Sequence, residues 1–196
     1  MFMKQEFIDR LKSTSREGIE SVITELDKLG FFLAPASSRF HLNREGGLLE
    51  HSLNVCNVAL DVREVMIVRR PSLVDKLPID SVIIATLLHD TCKADIYRTN
   101  IVGSTIGKFS SAIPKYSVDY SNFPLGHGEK SVIMLLKWGL KLTDDEIMAI
   151  RWHMHAWDLP FQSPDIKGNF QAAKATCPLL SLIQAADGLA SHILEA

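Results

Sequence analysis

IDSVIIATLLHDTCK, residues Ile79 to Lys93, decides how this chain reads. Ile79 to Ile84, with Ala85, Leu87 and Leu88, is apolar on nearly every side of a helix, so the segment predicts a buried helix running into His89. The pair His89-Asp90 stands at its end. An imidazole and a carboxylate buried there need a partner, because burying either one alone is costly. A divalent cation is such a partner, since nitrogen and oxygen donors of this kind suit Zn, Fe, Mn or Ni. Adjacent helical residues diverge, so the pair meets one ion only at a helix end. The same divergence lets the carboxylate reach toward a second.

Helical periodicity extends outward from this segment in both directions. Residues Phe2 to Leu29 predict one or two amphipathic helices closed by Gly30, and a loop from Ala34 to Glu45 follows. A long helix runs from about Gly47 to Arg69, with Pro71 and Pro78 bracketing a connector. After the pair, Tyr97 to Phe123 loses helical periodicity and predicts a short β-ribbon or irregular arm, with strands at Ile101–Thr105 and Tyr116–Tyr120. This arm is a lid over the site or an oligomer contact. Helices resume at about Gly126–Leu140 and again at Thr143, where Glu146 three residues on forms a capping box; that helix reaches about Trp157. Pro160 to Gly168 reads as a loop, and Pro178 opens a last helix reaching about Leu194. The fold class is all-α: a bundle of six or seven helices with one insertion at about 97–123.

Four further positions extend the donor set. His51 has apolar Leu48 and Val55 at i−3 and i+4, so it faces the core. Asp187 has Ile183 and Ala190 at i−4 and i+3, an unusual inward setting for a carboxylate without a cationic partner. His127 begins a helix, and His153 has Ala149 and Ile150 behind it. His155, two residues on, points away. His41 belongs to the loop before the long helix, at the site's edge or on the plain surface. His192 reads as structural and Cys92 as buried filler. Trp138, Trp152 and Trp157 read as core or rim.

The order His51, His89-Asp90, His127, His153, Asp187 resembles the HD superfamily of metal-dependent phosphohydrolases, in the branch that holds two metals. The resemblance covers roughly Pro35 to Ala190, so residues 1–30 read as a helical extension and 31–196 as an HD-type domain. PASSRFHLNREGGLLEHSLNV, residues 35–55, is also similar to HD domains attached to bacterial 3′–5′ exoribonucleases and relaxase-type proteins. The resemblance implies one metal on His51, His89, Asp90 and Asp187, and a second on Asp90, His127 and His153. The alternative for His127 and His153 is contact with substrate. It implies two divalent ions (Fe, Mn, Ni, Zn or Mg) and hydrolysis of a phosphate mono- or diester, a nucleotide or oligonucleotide, by metal-activated hydroxide. Asp90, Lys93 and Asp187 are the catalytic candidates, with Asp187 orienting or deprotonating the nucleophile. Lys93 in HDTCK matches a lysine common in the family, although Thr91-Cys92 replaces the usual Ile-Gly. Lys93, and more weakly Arg44 and Lys130, are phosphate-binding candidates. The rival readings are a non-catalytic nucleotide sensor and an accessory module of a nuclease system.

Composition bounds these readings. The chain has 196 residues, 46% of them hydrophobic, with 21 Lys+Arg against 23 Asp+Glu. Near-balanced charge argues against a basic track for duplex nucleic acid or an anionic membrane. A small phosphorylated substrate remains compatible. Three cysteines without a CxxC fit a reducing cytoplasm. The N-terminus is too often broken by charge for a secretory signal.

Overall fold

The computed structural model describes residues 2–100, 115–154 and 163–196. Its class is all-α with a two-stranded insertion, as the sequence predicts. Two N-terminal helices, α1 (Phe2–Ser13) and α2 (Ile19–Leu29), bury Phe7, Leu11, Val22 and Leu26 in the same core as the rest. Gly30 ends α2 in the left-handed region, at φ 82°, where a side chain would be strained. The long α3 (Gly47–Arg69) is the spine. It packs on α1, on α4 (Ile79–Leu88) and on the C-terminal helix. Helix α4 is buried on every side from Ser81 to Leu88. Ile84, Leu87 and Leu88 are fully enclosed, each contributing about 1.5–3 kcal/mol by leaving water.

A four-residue helix, α5 (Lys93–Ile96), follows the His-Asp pair. It leads into β1 (Tyr97–Thr99), which pairs antiparallel with β2 (Tyr116–Val118), Arg98 opposite Ser117. The expected strand at 101–105 lies outside the described residues, as do His155 and Trp157. Then come α6 (His127–Lys137) and α7 (Asp144–Trp152). Thr143 caps α7 with the expected box: its hydroxyl accepts from the Glu146 N–H at 3.2 Å, and the Glu146 carboxylate accepts from the Thr143 N–H at 2.9 Å. That carboxylate is fully buried, and Arg16 grips both its oxygens at 2.6 and 2.9 Å. The pair ties the α1–α2 turn to the start of α7.

The sequence reading erred at Pro160–Gly168. From Pro164 onward this is α8 (Pro164–Thr176), not loop. Ser163 caps it by accepting from the Ile166 N–H at 3.4 Å, and Pro164 occupies the first turn. The Ser-Pro signal marked a helix start rather than a break. Among the described residues this helix raises the number of α-helices longer than four residues to eight, against the expected six or seven. Finally α9 (Pro178–Leu189) continues into a π-helical turn at Ala190–Leu194. Among the described residues, no single helix is long and apolar enough to cross a membrane.

Helices α6 and α7 come together because position 128 carries no side chain. A Cβ there would stand 2.2 Å from the Arg151 carbonyl oxygen and 2.6 Å from that of Ile150. Backbone cannot yield as a flexible side chain can. Gly128→Ala is therefore expected to destabilise the fold by about 2 kcal/mol or more, seen as a lower urea midpoint. Arg16→Ala is expected to cost about 3 kcal/mol, because it leaves Glu146 buried without its counter-charge.

Candidate metal centre

Six elements converge on one buried carboxylate. Asp90 is 2% exposed. Its Oδ2 faces the Lys93 ammonium at 2.6 Å, His89 Nε2 at 3.3 Å and His51 Nε2 at 3.4 Å. Its Oδ1 faces His127 Nε2 at 2.6 Å and His153 Nε2 at 3.3 Å. The two oxygens thus divide the histidines into pairs. Asp187 approaches from α9, its Oδ1 standing 3.4 Å from His51 Nε2 and accepting from the Ser191 hydroxyl at 3.0 Å.

Local structure fixes each ring. His89 and His153 stand one residue past the ends of α4 and α7, where helix carbonyls lack internal donors. Each uses Nδ1–H to donate to the carbonyl three residues back, Thr86 and Ile150 respectively, at 2.7 Å. A carbonyl only accepts, so Nδ1 carries a proton and a neutral ring would have its lone pair at Nε2. Those lone pairs point toward a carboxylate. The Nε2 atoms of His51, His89 and His153 are buried without a hydrogen-bond partner, and so is that of His41. For His89 and His153, a lone pair opposed to the Asp90 carboxylate at 3.3 Å repels it unless a cation lies between them. The donor set therefore fits a metal. Ligand atoms of His51, His89 and Asp187 lie within 4.8 Å of one another, and so do those of His89, Asp90 and His153. Either group could hold a metal ion.

The electrostatics follow from this crowding. Burial pushes the Asp90 carboxyl up, but Lys93, His89, His127 and His153 outweigh it and hold its pKa well below the usual range. Asp187 is likewise lowered, burial being overcome by His51 and His89. Burial pulls His51 down, but the carboxylates of Asp187, Asp90 and Glu195 raise it to about 10. His127 also reaches about 10, burial being outweighed by Cys92 and Asp90. Burial wins at His41, aided by Lys93, and lowers it to about 4. It also wins at His153.

All six expected ligands meet here, and Lys93 with them. Arg44 and Lys130 are not brought to the cluster. Arg44 lies 58% exposed and clasps Glu50 at 2.6 and 2.8 Å. Lys130 is buried against Asp95 and donates to the Asn122 carbonyl at 2.5 Å, so its charge is already matched. The sequence reading missed Glu195, whose carboxylate accepts from His51 Nδ1 at 3.0 Å. It left His41 undecided between site and surface; the ring packs 5.0 Å from that of His51. A cleft of about 320 Å³ opens on the cluster, lined by His41, Asp90, Lys93, His153, Asp187 and His192. A second cavity of about 310 Å³ lies beside it, with Ile96, Tyr120, Phe123, Leu125 and His127 in its walls. Met154 borders both.

Set against known proteins, the chain matches no family model, no curated protein and no solved structure.

These shifts predict the pH profile of metal-free stability. His51 and His127 are raised from 6.5 to about 10, so their contribution is complete below pH 6.5 and is lost as pH climbs through 10. His41 and His153 are lowered from 6.5, so their neutral burial turns against the fold as pH drops below that value. Asp90 and Asp187 add a further loss as pH falls through the ordinary carboxylate range near 4. The urea midpoint of chelator-treated protein is expected to peak near pH 6.5 and to fall by pH 9 and by pH 4. A midpoint higher at pH 9 than at pH 6.5 would contradict the assignments.

Proposed function

We propose that this chain is an HD-type, metal-dependent phosphohydrolase acting on a small phosphate ester, a nucleotide or oligonucleotide. The carrying observation is the arrangement around Asp90. Its Oδ2 faces His51 and His89, and its Oδ1 faces His127 and His153. That division supports two cations, one that His51, His89, Asp90 and Asp187 would hold and one that Asp90, His127 and His153 would hold. Such ions, when bound, supply Lewis acidity toward a phosphoryl oxygen and lower the pKa of water.

The chain's own groups do the rest. Asp187 is the carboxylate at the cleft's edge, 24% exposed and anchored by Ser191. It would orient an attacking water by accepting a hydrogen bond from it. Lys93 lines the same cleft, its pKa raised above the ordinary value because Asp90 outweighs burial. Its ammonium offers a compact charge for a phosphate oxygen. The cleft's size, about 320 Å³, sits at the small end of ligand pockets and suits a phosphate with its sugar. The neighbouring cavity, with Tyr120 and Phe123, offers an apolar surface for an attached base.

Metal analysis of protein purified without chelator, followed by a nucleotide panel with Mn²⁺ or Fe²⁺, tests the proposal. Asp90→Ala is expected to lose both metal and turnover to background. Lys93→Ala is expected to keep metal while kcat falls about 10²-fold. Metal and activity both surviving in Asp90→Ala would sink the reading. Nucleotide binding without turnover across the panel would favour a sensor instead.

A further inference from the structure

We propose that Glu195 is a positioning residue that locks the tautomer and orientation of His51 and strengthens it as a metal ligand; the inference rests on the metal reading above. The histidines of the cluster are not anchored alike. His89 and His153 are held through Nδ1 by a neutral carbonyl of their own helix. His51 is held through Nδ1 by a carboxylate 144 residues away, at 3.0 and 3.2 Å from the two Glu195 oxygens. A carboxylate accepting from Nδ1–H fixes the free lone pair on Nε2 and makes the ring more basic toward a cation.

Glu195 is built for this contact. Its side chain is 1% exposed, so its charge has left water and needs partners. Two groups donate to it, His51 Nδ1 and the Asn54 amide, the latter to Oε1 at 3.0 Å, and His41 Nε2 stands 4.0 Å from Oε2. Asn54 lies one turn from His51 on α3, so the carboxylate bridges two neighbours on that helix face. The backbone is arranged to bring Glu195 there. The Glu195 N–H bonds to the Ala190 carbonyl at 3.0 Å, five residues back, in the π-helical turn after α9. An uninterrupted α-helix would set position 195 about 80° around the axis from Asp187. The wider turn lags behind the α-helical advance and returns Glu195 toward the face that carries Asp187. Two carboxylates from one continuous run thus address opposite nitrogens of a single imidazole, Asp187 at Nε2 and Glu195 at Nδ1.

The experiment is a zinc titration against a chromophoric chelator, with long-range ¹H–¹⁵N spectra of the zinc-loaded protein. The proteins are wild type, Glu195→Gln, Glu195→Ala and, on the same turn, Ile193→Ala, whose side chain is exposed. Glu195→Gln is expected to raise the zinc Kd about 10- to 100-fold, and Glu195→Ala at least as much. The His51 Nδ1–H signal should move upfield in both, while Ile193→Ala matches wild type. Glu195→Gln keeps shape and an acceptor oxygen, so it remains informative should Glu195→Ala fold poorly. Zinc affinity within twofold of wild type in Glu195→Gln overturns the positioning role and leaves the metal reading standing. Equal weakening by Ile193→Ala also overturns it, since the turn rather than the carboxylate would then be responsible. A wild type that binds no zinc overturns both.

Discussion

Asp90 is a carboxylate enclosed by protein, and most of this fold can be understood as the means of keeping it charged. Isolated in an apolar interior, it would take up a proton. Instead His51, His89, Lys93, His127 and His153 stand within 3.4 Å of its oxygens. Those groups come from α3, the end of α4, α5, α6 and the end of α7. No two adjacent helices could surround a carboxylate in this way. Helix α4 can deliver Asp90 so deep because it carries no polar face that would need water, with Ile84, Leu87 and Leu88 all enclosed.

The helix ends are as important as the helices. His89 and His153 each follow a last helical residue, where unpaired carbonyls at the negative end of the helix accept Nδ1–H. Each ring is thereby oriented by its own backbone and needs no second protein group. His127 stands at the opposite kind of end, the start of α6, where the positive pole favours the nearby Asp90 carboxylate. Gly128 then lets that helix start lie directly on the end of α7, which brings the rings of His127 and His153 to 5.5 Å. His51, in the body of α3, has no free carbonyl to orient it. Its Nδ1 is met instead by the Glu195 carboxylate, from outside its helix.

Much of this was legible in the chain because helical phase is written locally. Leu48 and Val55 turn His51 inward, Ile183 and Ala190 turn Asp187 inward, and Thr143 with Glu146 announces α7. What phase does not reveal is the neighbour across the interface. Lys130 lies three residues from His127 and shares its side of α6 by spacing, yet α5 places Asp95 against it and the charge is consumed there. Arg44 precedes α3 closely enough to suggest a site residue, but Glu50 lies within its reach at the surface. Glu195 carried no periodic signal, because the π-helical turn breaks the α-helical register between it and Asp187. The Ser163-Pro164 start of α8 falls inside the stretch that reads as loop, because Ser and Pro serve loops and helix starts alike and only the following helix distinguishes them.

Charge counting then links the metal to the phosphate. Asp90, Asp187 and Glu195 face a single ammonium, that of Lys93, which leaves an excess of two negative charges with neutral imidazoles. Protons on His51 and His127, both raised to about 10, balance that excess when no cation is bound. A neutral cluster has no long-range attraction for a phosphate, and its Lys93 is occupied at 2.6 Å by Asp90. On the proposed reading, two divalent cations replace those two protons and turn the same pocket positive by about two charges. The near-balanced composition of the whole chain therefore does not argue against a phosphate ligand. What it means is that the attraction must come from the ions, so the phosphohydrolase reading depends directly on the metal reading.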